Sequence, residues 1–152
     1  MAARGMKASS RVLGQRVLPA PPEVARRLGI EVGAEVVQLE RLRLADGEPM
    51  ALETAYLPHA RCPGLLSFDF SRLSLYEVLR KHYGLRLDRA EQVIRVVVLS
   101  AREARWFGLP AGSPAFLFER VTFLESGEAI EFVRSLYRGD RYAFQVHLFT
   151  PK

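Results

Sequence analysis

Short apolar runs of strand length alternate along the chain with brief helical stretches, and the same order of elements occurs twice. Val12 to Leu18 and Gln92 to Leu99 are β-branched or apolar runs of the kind found in strands. Each is followed by a short helix, about Pro22 to Leu28 and Ala101 to Phe107. Each helix is closed by a glycine, Gly29 or Gly108, the residue that tolerates a left-handed C-cap. Ser100-Ala-Arg-Glu103 reads as a capping box, in which the Ser and Glu side chains satisfy orphan amide donors. After Gly33 and Gly112 the pattern becomes strand, glycine-centred turn and return strand, with the aromatic and β-branched residues of a half-buried sheet. Pro58 to Asp88 joins the two units and carries a further helix, from about Ser74 to His82, that ends in Tyr83-Gly84.

The two units are related in sequence. Pro22 to Arg41 aligns without gaps on Ala101 to Arg120 at an offset of 79 residues. Ala25, Arg26, Gly29, Gly33, Glu40 and Arg41 match Ala104, Arg105, Gly108, Gly112, Glu119 and Arg120. The same offset places Arg11 to Leu18 on Ala90 to Val97, and one extra residue places Asp46-Gly47-Glu48 on Ser126-Gly127-Glu128. A period this long exceeds any solenoid unit. It predicts one domain built from two related halves, a mostly antiparallel sheet carrying short helices: an α+β fold. No low-complexity linker or internal domain boundary interrupts it.

Composition narrows the function. With 152 residues, 49% hydrophobic and 26% charged, the chain has the proportions of a single globular domain. It holds no run of about 18 uncharged apolar residues that would span a membrane. Met1 to Arg11 lacks the apolar core of a signal peptide. The lone Cys62 allows no intrachain disulfide, which points to a reducing compartment, the cytoplasm. The formal charge of +5, carried mainly by arginine, fits either an anionic partner or a solvated arginine-rich surface. The arginines are scattered, without a basic run or stacked-aromatic motif, so the charge alone does not indicate a nucleic-acid binder. No nucleotide cradle of the Gly-x-x-x-x-Gly-Lys or Gly-x-Gly-x-x-Gly type is present. One cysteine and three widely spaced histidines, His59, His82 and His147, offer no zinc pattern. No metal, cofactor or catalytic residue is expected, and Cys62 reads as inert.

The binding chemistry concentrates in the two hairpins. Arg41 and Arg43 are two apart on a strand, so both guanidinium groups leave the same face and suit a phosphate or carboxylate. A two-residue loop at Asp46-Gly47 would set Glu40 opposite Glu53, a repulsive pair. A three-residue loop, or an equivalent bulge, sets Glu53 opposite Arg41 instead. In the second hairpin Glu131, Arg134 and Tyr137 stand out, and Glu131 and Tyr137 share a face of an unbulged strand. Ser74 opens Ser-Leu-Tyr-Glu77, a second capping-box pattern, where a hydroxyl and free amides can meet an anion and Tyr76 can wall a pocket. Because Glu40-Arg41 recurs as Glu119-Arg120, the repeated pair is also explained by shared architecture. Arg43 aligns with Thr122 and is the less symmetric arginine.

Three segments carry a family resemblance. Glu-Arg-Leu-Arg-Leu-Ala-Asp-Gly-Glu-Pro-Met-Ala-Leu-Glu (40 to 53) resembles the first hairpin of the UTRA domain, the effector-binding domain of HutC-type GntR transcription regulators. Ser-Leu-Tyr-Glu-Val-Leu (74 to 79) and Ile-Glu-Phe-Val-Arg-Ser-Leu-Tyr-Arg-Gly-Asp-Arg-Tyr (130 to 142) resemble its central helix and final hairpin. The likeness runs from about Ala3 to Leu148. It implies a chorismate-lyase-like fold, usually a homodimer, that binds a small metabolite and alters DNA binding by an attached winged helix. By the same resemblance Arg41, Arg43 and Ser74 hold a phosphate, and Glu53, Tyr76, Glu131 and Tyr137 face the rest of an anionic effector. Arg89 also matches, as either a pocket residue or an ion-pair partner of Glu91. On this reading residues 1–10 are a linker remnant and 11–152 the effector-binding and dimerisation domain, with DNA contacted only through a winged helix absent from this chain. The chain is then a fragment or a stand-alone sensor. A chorismate-lyase-like enzyme and a pure dimerisation module are the alternatives.

Overall fold

The computed structural model describes residues 7–151. Six strands form one antiparallel sheet in the order β1-β2-β3-β6-β5-β4. They are β1 (Ala8–Pro19), β2 (Glu35–Ala45), β3 (Glu48–Pro58), β4 (Leu87–Val98), β5 (Pro114–Leu124) and β6 (Ala129–Arg138). Helices α1 (Pro22–Leu28), α2 (Leu75–Lys81) and α3 (Ala101–Phe107) complete the α+β domain, with 3-10 turns at His59–Arg61 and Leu65–Ser67. None of the helices among the described residues is long and apolar enough to cross a membrane.

The duplication is built into this order, which reads the same from either edge once β1, β2 and β3 are matched to β4, β5 and β6. Shifting β1, α1 and β2 by 79 residues lands on β4, α3 and β5 end for end. After the hairpin turn the shift is 80, and it carries Thr54 onto Arg134, which are cross-strand partners where β3 meets β6. A pseudo-two-fold axis therefore passes through that pair. Local chemistry repeats as well: Gly29 and Gly108 close their helices with the same left-handed backbone, φ 66° and ψ 32°. The capping box at Ser100 and Glu103 is fully formed. At α2 only half of the expected box forms: Ser74 accepts from the Glu77 amide, and no return bond from Glu77 accompanies it.

The two faces of the sheet are divided by the period of two along each strand. Val37 and Leu39 of β2, with Ala55 and Leu57 of β3, face the connecting segment and pack on Leu75, Val78 and Leu79 of α2. Val36 and Leu42 face the other way, toward α1 and α3. Each of those helices leans across the axis. Val24, Ala25 and Leu28 of α1 cluster with Val121 and Phe132 of the second half, and Ala104 and Phe107 of α3 cluster with Leu42 and Leu52 of the first. Each half thus completes the apolar cover of the other.

One boundary differs from the sequence reading. β1 begins at Ala8, so residues 8–10, expected in the linker, are strand; Met1–Met6 of that linker lie outside the described residues. Of the two readings of the first hairpin, a three-residue loop or an equivalent bulge, the structure has the bulge. Asp46 (φ 50°) and Gly47 (φ 75°) form the turn, and a bulge leaves Met50 unpaired between Arg43↔Ala51 and Leu44↔Pro49. That bulge sets Glu53 opposite Arg41. Finally, the Tyr-Arg-Gly-Asp segment closes β6 sterically. Arg138 forks onto Asp140 at 2.8 and 2.9 Å, and a Cβ on Gly139 would fall 2.7 Å from the Pro114 carbonyl oxygen.

Candidate effector pocket

The sheet, the first turn of α2 and the start of β1 border a cavity of about 290 Å³ on the α2 face of the sheet. Its floor comes from β2 and β3, which supply Arg41, Arg43 and Glu53. Its roof is Phe70 to Leu75 with Tyr76, and Arg120 and Glu131 reach in from β5 and β6. Ala8, Ser9 and Ser10 edge it from β1. Six of the residues singled out in the sequence thus line one cavity: Arg41, Arg43, Glu53, Ser74, Tyr76 and Glu131.

Two networks hold these polar groups. In the first, the Arg41 guanidinium donates to Glu53 Oε1 at 2.8 Å and to the Phe70 carbonyl at 3.4 Å. Both side chains are buried, at 6% and 8% exposure, where an ion pair is only slightly screened. Arg43 approaches the same Glu53 oxygen at 3.7 Å, and Ser135 donates to the other at 3.4 Å. The Arg43 Nε is buried without a partner. In the second network, Tyr76 and Thr122 both donate to Glu131 Oε1, at 2.7 and 3.2 Å. Burial raises the Glu131 carboxyl above the usual carboxylate range, against the opposing pull of the Tyr76 hydrogen bond. The Tyr76 hydroxyl is pushed up to about 12, by burial first and by Glu131 second. Four arginines (Arg41, Arg43, Arg72 and Arg120) line the cavity against two glutamates, so its field favours an anion.

The remaining candidates lie elsewhere. Tyr137 is on the pocket face but outside the lining, its ring 4.4 Å from that of Tyr142 and 5.0 Å from that of Phe118. Burial, then the Glu53 charge, raises its hydroxyl. Arg89 is not brought to the cavity within this chain. It pairs with Glu91 at 2.6 Å and lies over the Phe123 ring at 4.1 Å. Arg134 is on the opposite face, 3.5 Å from Glu119, beside a second cavity of about 280 Å³ edged by Glu40, Thr54, Tyr56 and Arg102. Cys62 is fully buried under α2, and burial pushes its thiol up to about 11, far from a nucleophile's range. Among the described residues no cluster of His, Cys, Asp or Glu could hold a metal. Sequence reasoning missed Ser9 and Ser10, which sit in the presumed linker, and Arg120, which the repeat disguised as scaffold.

Comparison with known proteins agrees with this architecture. The UTRA domain family matches residues 3–143. The transcriptional repressor NagR of Bacillus subtilis is 32% identical over 144 residues, covering 95% of this chain and 59% of that protein. The repressor PhnF of Mycolicibacterium smegmatis is 40% identical over 142 residues, covering 93% of this chain and 58% of that protein. The chain thus spans less than two thirds of the length of either relative. The crystal structure of the PhnF effector domain from Mycobacterium smegmatis superposes with a TM-score of 0.91 at 38% identity, covering 97% of this chain and 91% of that one.

Two stability measurements test this electrostatic description. Glu53→Ala strands the buried Arg41 charge and is expected to cost about 3–5 kcal/mol in urea unfolding. A loss below about 1 kcal/mol would show the pair to be dispensable. Glu131 binds its proton more tightly in the folded chain than in the unfolded one. Its contribution is full below the ordinary carboxylate value and is lost as pH rises through the raised folded value. Urea midpoints from about pH 4 to 8 should fall less steeply for Glu131→Gln than for the wild type. An identical slope in both proteins refutes the burial of this charge.

Proposed function

Because the chain belongs to the UTRA domain family, we propose that it is the effector-binding part of a GntR/HutC-type transcription regulator, non-catalytic and working in the cytoplasm. A small anionic metabolite fills the cavity and changes the DNA affinity of a winged helix domain elsewhere in the full protein. The observation that carries this reading is the convergence of Arg41, Arg43 and Ser74, with Ser9 and Ser10, on one small cavity. Guanidinium forks and hydroxyl donors in that arrangement suit a phosphate or carboxylate. Glu53, Tyr76 and Glu131 supply acceptors and a ring for the uncharged part of the molecule, and Tyr137 stands behind them. For the ligand to regulate, it must bind two states of the protein unequally.

The partner that supplies a second state is a second copy of the chain. β4 is an edge strand with Val93, Val96 and Val98 exposed at 45%, 75% and 69%. An apolar edge of this kind invites strand pairing or apolar contact. We place the homodimer contact there.

A thermal-shift panel of phosphosugars, organic acids, amino-acid catabolites and acyl compounds tests the sensor. An anionic ligand at about 100 times its Kd should add roughly 2.7 kcal/mol. Arg43→Ala and Ser74→Ala, still folded, should lose that gain. Turnover of chorismate by the chain, with no anionic class raising its melting temperature, is the outcome that would replace the sensor with a lyase. Sedimentation tests the pairing: the wild type should run as a dimer and Val96→Asp/Val98→Asp as a monomer. A monomeric wild type removes the β4 contact from the account.

A further inference from the structure

The duplication makes Arg120 the counterpart of Arg41, since both begin from the same position of the repeat, 79 residues apart. Their surroundings differ in one decisive respect. Arg41 sits opposite Glu53 in the β2–β3 register and is neutralised by it at 2.8 Å. The residue opposite Arg120 in the β5–β6 register is Val133, the counterpart of Glu53 after the one-residue shift of the turn. The second arginine therefore lacks the carboxylate that its twin possesses. Among the described residues no carboxylate comes within 4.0 Å of it, and its Nε is buried without a partner. Glu131, two residues from Val133, acts on Arg120 through its charge but makes no ion pair with it, and its Oε1 accepts from the Tyr76 and Thr122 hydroxyls. Arg120 instead lies over the Tyr76 ring, 5.9 Å from its centroid, and lines the cavity.

The charges of Glu131 and Glu53 act on Arg120 only from beyond ion-pair distance, and a half-buried guanidinium with no direct ionic contact leaves donors for a ligand to complete. Arg41 and Arg43 enter the cavity from β2 and Arg120 enters from β5, with β3 and β6 between them. At about 4.8 Å between neighbouring strands, their backbones are roughly 14 Å apart across the sheet. The two groups of guanidinium donors thus approach a ligand from opposite sides. We infer that Arg120 receives a second anionic group, so that the pocket selects a small molecule charged at both ends, with a carboxylate at Arg120. This rests on the reading that Arg41, Arg43 and Ser74 hold a phosphate, and it adds a residue and a substrate class to that site. The carboxylate replaces the one that Glu53 supplies in the first half.

Calorimetric titration of the chain with 3-phosphoglycerate and with glycerol 3-phosphate separates the two ideas. The compounds share phosphate and length and differ in carboxylate against hydroxymethyl. The wild type should bind 3-phosphoglycerate about tenfold more tightly or better, the scale of one charge-assisted hydrogen-bond pair. Arg120→Gln should bring the ratio to about one, and Arg120→Lys, which keeps the charge, should retain part of the preference. Circular dichroism of both variants checks that they fold. Equal affinities in the wild type, or an unchanged ratio in folded Arg120→Gln, overturn the role of Arg120 while leaving the phosphate site standing. Failure of the wild type to bind either compound overturns the phosphate reading and this inference with it.

Discussion

The buried pair of Arg41 and Glu53 is the interaction on which the pocket depends. A guanidinium at 6% exposure is tolerable only with a counter-charge, and the counter-charge must lie directly across the strand. The tight Asp46-Gly47 turn alone does not provide that register. The bulge at Met50 does, by moving the β3 strand one residue relative to β2. Once the pair is set, Arg43 emerges beside it on the same face, and Phe70 is tied down through its carbonyl. The segment that roofs the cavity is thereby fastened to its floor. An ionic contact at the sheet centre positions the loop, the first turn of α2 and Ser74 together.

The scaffold around this pair is symmetric and the pocket is not. The helices exchange halves across the axis at Thr54 and Arg134, so each repeat supplies cover for the other and the sheet remains continuous. Helices α1 and α3 occupy one face in related positions. The other face receives the single connecting segment, which has no counterpart in the repeat. Asymmetry enters through that segment and through a few departures from the repeat: Glu53 against Val133, and Arg43 against Thr122. Those departures make the two sides of the cavity unlike, while the matched Arg41 and Arg120 both line it.

Much of this was legible because it rests on local rules. The helix ends follow from Gly29, Gly108 and the Ser100 cap, and the observed limits of α1 and α3 match those expected. The pairing of Arg41 with Glu53 followed from the repulsion that the alternative register would create. Other features depend on where distant segments meet. Ser9 and Ser10 carry no local signal of a pocket, since they enter it only because β1 runs along β2 as far as Ala45. Arg120 reads as scaffold in an alignment of the halves; its missing carboxylate is evident only when the cross-strand partners are known. Arg89 had two readings in the sequence, a pocket residue or a partner of Glu91. Within this chain its side chain pairs with Glu91 and lies over Phe123.

The proposed sensor binds its anion on the α2 face of the sheet and not at the arginine cluster behind it, where Arg27, Arg95 and Arg134 surround Glu119. Nuclear magnetic resonance of chain labelled with nitrogen-15 at arginine addresses it directly, through the side-chain Nε–H signals assigned by substitution. On titration with 3-phosphoglycerate the signals of Arg43 and Arg120 should move together and saturate at one ligand concentration, while those of Arg27, Arg95 and Arg134 stay in place. Movement confined to the rear cluster, with Arg43 and Arg120 unaffected, would contradict the account.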